Sequence, residues 1–206
     1  MIKKFLEIKN VDFQIGGKIK VKNFSLDIEK KGEIICLLGP SGIGKTTILR
    51  SIAGLEKIEN GSIKLKSNLL SSKNSHVEPE NRNISLSFQE NSLFPHFTIQ
   101  KNINFGTERN KINGKKFLNP KKIIKILNIE NILNKYPHQI SAGEAQRASL
   151  TRAVVSNPDL LLLDEPLSNI DENFKEEIQV NLKQILKENK ITTIIVTHDS
   201  YEAFYL

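Results

Sequence analysis

The sequence predicts an α/β fold: a parallel sheet with helices between its strands, an N-terminal antiparallel β subdomain and a helical insertion subdomain. Three observations carry this. Ile34-Ile-Cys-Leu-Leu38 is a short apolar run that opens directly onto Gly39-Pro40-Ser41-Gly42-Ile43-Gly44-Lys45-Thr46, after which a helical pattern starts. Leu160-Leu-Leu-Leu163 is a second unbroken apolar run, the pattern of a strand covered on both faces. From Ile34 onward, strand-like and helix-like stretches alternate, as a parallel sheet with crossover helices requires.

Each element follows from local pattern. Phe5-Leu-Glu-Ile8 and Val21 to Ile28 read as strands around a Gly16-Gly17 turn, the second alternating apolar and polar like a half-exposed antiparallel strand. Lys31-Gly32-Glu33 turns into the Ile34 strand, and a helix is expected from Lys45 to Leu55. Asn60-Gly61 carries a hairpin-type turn signal, Ser62 to Lys66 alternates as a strand, and Ser67 to Arg82, rich in serine and asparagine, reads as a loop. Ile84 to Phe88 returns to the sheet. From Gln89 the character changes: Ile123, Ile124, Leu127 and Ile129 suit short helices, with Asn119-Pro120 as a start signal. Ser141 is placed to cap a helix reaching about Ser156, and Glu144 three positions later completes a capping box. A charged helix from Glu172 to Asn189, a strand from Ile191 to Val196 and a helix beginning at Tyr201 follow. Residues 89–158 are therefore expected as a helical insertion between 1–88 and 159–206 of a single domain.

Composition bounds the partners. Among 206 residues, 30 Lys+Arg against 23 Asp+Glu give a formal charge of +7. The lysines are scattered among asparagines and isoleucines. The densest group, Lys115, Lys116, Lys121, Lys122 and Lys125, reads as a solvated helix face, so no nucleic-acid partner is expected. The one cysteine, Cys36, lies in an apolar strand and excludes a disulfide framework. No apolar run approaches the roughly 20 residues that cross a bilayer, and the N-terminus lacks the apolar region of a signal peptide. The reading is a cytosolic protein whose membrane role, if any, comes through a partner.

The chemistry concentrates in two stretches. G-x-x-x-x-G-K-T between a strand and a helix is the phosphate-binding P-loop. Glycines at 39, 42 and 44 let successive backbone N–H groups turn inward on an anion, and the helix that follows adds its positive dipole end. Lys45 supplies a full charge for β- and γ-phosphates, while the Thr46 hydroxyl, followed by Thr47, is placed for Mg²⁺. Leu160 to Leu163 ends in Asp164-Glu165. A carboxylate at the end of a parallel strand stands beside the P-loop, where Mg²⁺ would sit. Its neighbour Glu165 is then placed to orient or deprotonate water.

With these motifs the chain resembles the ATP-binding cassette (ABC) ATPases along essentially its whole length, implying a P-loop NTPase core. Gln89, after a strand, looks like the Q-loop glutamine. Ile140-Ser141-Ala142-Gly143-Glu144 looks like the family signature (continued by Ala145-Gln146-Arg147), Ser168-Asn169-Ile170-Asp171 like the D-loop, and His198 like the switch histidine. The resemblance implies ATP and Mg²⁺ as ligands. Gly39 to Thr47 would bind phosphate, and Thr46, Asp164 and Gln89 the metal. Glu165, His198 and Gln89 would be catalytic, and Ser141 and Gly143 would hold the γ-phosphate of a second subunit. The stretch Ser87 to Thr98 and Tyr136-Pro137-His138-Gln139 resemble the ATPase subunits of bacterial solute importers. That implies an integral membrane permease, a homodimer or a dimer with a related ATPase subunit, and a peripheral place on the cytoplasmic face of the inner membrane. Leu93, Phe94 and Phe97 either line the groove for a permease helix or pack inside the insertion. A regulator of a membrane partner without transport, as in cell division, is the alternative. A DNA-repair ATPase fits less well, since no sustained heptad pattern is present.

Three features depart from the family pattern. The usual Leu-Ser-Gly-Gly-Gln becomes Ile-Ser-Ala-Gly-Glu, with a methyl at Ala142 and a charge at Glu144 near the expected phosphate. Ile15 stands where an aromatic usually stacks on adenine, with Phe13 nearby as a substitute ring. The chain ends soon after His198, before the last strands many relatives carry, which reads as a shortened version.

Overall fold

The structure is a computed structural model that describes residues 4–15, 18–88, 92–112 and 117–206. Two sheets form. The first is antiparallel and contains β1 (Leu6–Ile15), β2 (Lys18–Ile28), β4 (Asn60–Leu65), β5 (Asn68–Ser72) and β6 (Ser75–His76), in the order β2-β1-β4-β5-β6. The second contains β3 (Ile34–Leu38), β7 (Ile84–Ser87), β8 (Leu160–Asp164) and β9 (Thr192–Thr197), in the order β3-β9-β8-β7. All its pairings are parallel.

The parallel sheet divides the interior. On β8, Leu160 and Leu162 pack with Ile194 and Val196 of β9 and with α1 (Lys45–Ala53) against the antiparallel sheet. Leu161, Leu163 and Ile195 face the opposite core, built by α4 (Ala142–Val155), α5 (Glu172–Glu188) and part of the insertion. Strand residues alternate sides, so the unbroken apolar run Leu160 to Leu163 of β8 follows from its having a core on each face. Between β7 and β8 lie α2 (Ile99–Ile112), α3 (Pro120–Ile126) and α4. Asn119 caps α3 through its side chain, with Pro120 at the first turn, and Ser141 with Glu144 forms the capping box of α4. The chain closes on α6 (Ser200–Tyr205). No helix among the described residues is long and apolar enough to cross a membrane.

Two local expectations are corrected. Asn60-Gly61 is not a hairpin turn but the start of β4. Gly61, at φ +81°, is needed because a Cβ there would fall 2.3 Å from the Lys9 carbonyl oxygen of the neighbouring strand. The hairpin closes instead at Lys66-Ser67, both in the left-handed region (φ +52° and +71°), between the paired Leu65 and Asn68. Nor is Ser67 to Arg82 a loop throughout, since β5 and β6 occupy much of it. Leu70 and Ser71 of β5 are buried.

Arg82 fastens the antiparallel sheet to α1. It is 4% exposed and donates to the carbonyls of Val77, Ser51, Ile52 and Leu70 and to Ser71 Oγ. Ser51 and Ile52 lie in the last turn of α1, where helix carbonyls lack intrahelical partners. A Cβ on Gly54, the left-handed cap of that helix, would lie 2.6 Å from the Arg82 Nε.

Candidate nucleotide-binding site

The loop between β3 and α1 has the backbone an anion site needs. Gly42 and Gly44 sit at φ +79° and +106°, conformations that side-chain-bearing residues rarely adopt. Gly44 is the N-cap of α1 and brings no side chain to its first N–H groups, which stay available at the positive end of the helix. Lys45 is buried, and its Nζ donates to the carbonyls of Gly39 (2.6 Å) and Pro40 (2.9 Å), folding the ammonium across the loop. Ser41, Gly42, Gly44, Lys45, Thr46, Thr47, Glu165, Val196 and His198 enclose a cavity of about 400 Å³. Gly39, Pro40 and Ile43 complete the loop without lining that cavity, the Ile43 side chain pointing outward.

The acid pair arrives from β8. Asp164 is buried, which pushes its carboxyl above the ordinary value; a hydrogen bond with the Thr46 side chain and the Lys45 charge pull the other way. A hydroxyl and a carboxylate thus meet beside the phosphate loop. They offer the hard oxygen ligands that Mg²⁺ takes from protein when substrate phosphates supply the rest. Among the described residues no cluster of three or more His, Cys, Asp or Glu forms a protein cage for a metal.

Glu165 is the unusual member. Its φ is +48°, the left-handed region, which costs a non-glycine residue on the order of 1–2 kcal/mol. The conformation is held from both sides. Its N–H donates to the Val196 carbonyl of β9 (2.9 Å), and its carbonyl accepts from Gln146 Nε2 (2.8 Å) and Ser168 Oγ (3.0 Å). The side chain is thereby turned to the cavity, where Glu165 Oε1 lies 3.1 Å from His198 Nδ1. Two residues 33 apart in sequence meet at one wall of the phosphate site.

The signature-like stretch lies elsewhere. Ser141, Gly143, Glu144 and Arg147 line, with Ser168 to Asp171, a depression of about 740 Å³ that shares no lining residue with the phosphate cavity. Gly143 must be glycine here, since a Cβ would come within 2.9 Å of the Asn169 carbonyl oxygen. Glu144 turns its carboxylate back onto the Ser141 N–H (2.8 Å), while its own N–H donates to Ser141 Oγ (3.2 Å). That backbone hydrogen bond is the main cause holding the Glu144 carboxyl below its usual range.

The remaining expectations divide. Gln89 lies outside the described residues, as does the side chain of Ile15, which ends β1. Phe13 is not a substitute stacking ring: it is fully buried under the antiparallel sheet and packs edge-on against Phe24, centroids 5.8 Å apart. Leu93 belongs to the core rather than to a groove. Phe94 does line a groove, of about 610 Å³, with Phe88, Phe105, Arg152 and Ser156 among its walls, and the Arg152 guanidinium lies over its ring at 5.3 Å. Phe97 packs edge-on against Phe94. The buried Arg82 escapes the motif reading, and Gln146 enters it only as a continuation of the signature-like stretch, with no role of its own. Arg82 gives no signal in a stretch as polar as Glu80-Asn-Arg-Asn83, whereas Gln146 stands out as a polar side chain in a helix of mostly small and apolar buried residues.

A glycine loop feeding a helix, an acid-ended strand one place further along and a parallel sheet carrying both define a nucleotide-binding protein of the P-loop class. The chain belongs to the ABC transporter family, whose profile matches residues 21–168. It is 40% identical over 199 residues to the Fe(3+) ions import ATP-binding protein FbpC of Fusobacterium nucleatum, covering 96% of this chain and 52% of that protein. It is 42% identical over 206 residues to the spermidine/putrescine import ATP-binding protein PotA of Nitrosospira multiformis, covering 98% and 54%. The chain spans about half the length of the curated relatives it matches. Among solved structures it resembles the dimeric structure of MJ0796, a bacterial ABC transporter cassette, with a TM-score of 0.79 and 28% identity over 97% of this chain and 90% of that one. A second structure of MJ0796, a dimeric post-hydrolysis state bound to ADP and Pi, matches equally well.

Proposed function

We propose that this chain is the ATP-binding and ATP-hydrolysing subunit of a bacterial solute importer, acting as a dimer on an integral membrane permease. The observation that carries it is the meeting of Lys45, Thr46, Glu165 and His198 around one cavity while Ser141 and Gly143 line another. The relatives named as import ATP-binding proteins support the transport reading.

Residues 1–88 and 159–206 serve as the nucleotide-binding part and 89–158 as the arm that meets the permease. The N–H groups from Gly39 to Thr47 and the Lys45 ammonium receive the phosphates, Lys45 exchanging its two carbonyl partners for β- and γ-phosphate oxygens. Thr46 and Asp164, with Gln89, hold Mg²⁺, which neutralises phosphate charge when bound. Glu165 orients the attacking water and accepts its proton. His198 braces the Glu165 carboxylate and offers its other ring nitrogen to the γ-phosphate. Because the signature does not share the phosphate cavity, Ser141 and Gly143 act on the ATP of a second copy or a related subunit, in a head-to-tail pair. On this reading the groove beside Phe94 and Phe105 accepts the permease, and the chain works peripherally on the cytoplasmic face.

The test mixes two variants. Lys45→Ala removes the phosphate charge. Ser141→Asp still caps α4 but repels a phosphate. Each alone should hydrolyse ATP weakly, because in a homodimer both shared sites carry a lesion. Mixed, half of the sites in each heterodimer carry neither lesion, and hydrolysis and nucleotide-dependent dimerisation should return in part. A mixture that neither dimerises with ATP nor regains hydrolysis refutes the shared site, and an unmodified chain without ATPase activity refutes the function.

A further inference from the structure

Gln146 stands on α4, 3% exposed, in a helix otherwise buried through small and apolar residues. Both ends of its amide are engaged. Nε2 donates to the Glu165 carbonyl (2.8 Å) and lies 3.5 Å from Ser168 Oγ, and Oε1 accepts from the Asn169 N–H (2.9 Å). One side chain thus ties the helix that begins at Ser141 to the segment 165–169 that leaves β8. It grips Glu165 at the residue whose backbone is in the left-handed region. On the other side, Glu165 is held by its N–H to Val196, one residue from Thr197 and two from His198.

We propose that Gln146 is a positioning residue for hydrolysis: it fixes the main chain of Glu165, and so the aim of the Glu165 carboxylate at the phosphate cavity. The proposal rests on the reading of Glu165 as the base. Gln146 lines neither the phosphate cavity nor the signature depression, so its effect reaches the chemistry only through Glu165 and the turn after it. Strained backbone at a functional residue persists only where its surroundings over-determine it. Without the amide, the Glu165 carbonyl keeps Ser168 alone among these donors, and the Asn169 N–H loses its acceptor. The carboxylate then samples directions that miss the water.

The experiment uses the full chain with Mg²⁺ and ATP, measuring turnover at saturating ATP, KM and melting temperature. Gln146→Met keeps the length and burial of the side chain and removes both hydrogen bonds. Turnover should fall by about 10- to 100-fold, the scale of an ångström-sized misplacement of a catalytic group, with KM within about threefold of the parent. In a Glu165→Gln background the same change should cost nothing further in single-turnover rate, because the group it aims is already gone. Independent, multiplying losses would overturn the proposal, as would parental turnover per folded molecule. Ser168→Ala is a second probe that leaves the interior untouched, Ser168 being exposed. It removes another donor to the same carbonyl and should lower turnover several-fold without moving KM, and parental turnover there also counts against the proposal. Should Glu165→Gln itself hydrolyse ATP at the parental rate, the base assignment falls and takes this proposal with it. An inactive Glu165→Gln beside a fully active Gln146→Met removes the Gln146 role alone.

Discussion

Replacing Arg82 by methionine should destabilise the fold by about 4 kcal/mol without touching the phosphate site. The side chain donates to five oxygens at 2.7–3.1 Å, four of them backbone carbonyls, from a position 4% exposed. Methionine fills comparable volume but donates nothing. Water can reach some of the abandoned acceptors. If about two stay dry, at roughly 1–3 kcal/mol each, the loss is about 2–6 kcal/mol, a large share of the ~5–15 kcal/mol that holds a typical domain folded. Burial lowers the Arg82 pKa to about 10. Because the folded value lies below the unfolded one, the unfolded chain holds the extra proton only above about pH 10, and the stability contribution changes only there. Urea unfolding of parent and variant should therefore show the same difference at pH 6, 7 and 8. Arg82→Lys, with one nitrogen in place of three, should recover less than half of it. A Met variant within about 1 kcal/mol of the parent, or a difference that varies across pH 6–8, would refute the hydrogen-bond reasoning.

Two further outcomes follow from the same geometry. With Phe13 buried and isoleucine at position 15, the proposed nucleotide contacts are to phosphate and blind to the base. GTP should therefore compete with ATP within about tenfold, or about 1.4 kcal/mol of binding free energy, as checked by competition titration; a much stronger ATP preference would mean that another ring stacks on adenine. Asp199, which caps α6, is held below its usual carboxylate range first by its hydrogen bond with Lys175. A carboxyl whose folded pKa is depressed stabilises above its unfolded value and stops doing so as pH falls through the folded one. Asp199→Asn should thus lower the melting temperature at pH 7, and the gap should begin to narrow only once the pH falls below the ordinary aspartate value of about 4; a gap that persists undiminished in strong acid would assign the effect to capping alone.

The parts of this protein legible in its sequence are those whose physics is local. The phosphate loop is a run of glycines with dihedrals of its own, the α4 capping box spans three positions, and an all-leucine strand states that it has a core on each face. The Lys66-Ser67 turn was not legible, because neither residue is a usual occupant of left-handed positions and pairing with β1 and across β4–β5 imposes the geometry. β5 and β6 hid for the same reason: their serines and asparagines have weak strand preference, and their neighbours in the sheet decide. The candidate site shows the same boundary. Lys45, Thr46, Asp164 and Glu165 announce themselves by adjacency, whereas the grip of Gln146 on Glu165 joins residues 19 apart. Phe13 read as available because exposure belongs to the tertiary structure, not to the strand.

The reciprocal bonds between Ser141 and Glu144 bear on how freely this signature can drift. What the fold asks of position 144 is an acceptor of one particular reach, able to take the Ser141 N–H. Glutamine and glutamate satisfy that demand alike, and a single-base change interconverts them. Charge at that position is then a separable trait, set by whatever faces the helix end rather than by folding. Position 143 has no such latitude, since the Asn169 carbonyl occupies the space any side chain would need. Lineages can therefore vary the electrostatics of this surface in one step while its backbone outline stays fixed.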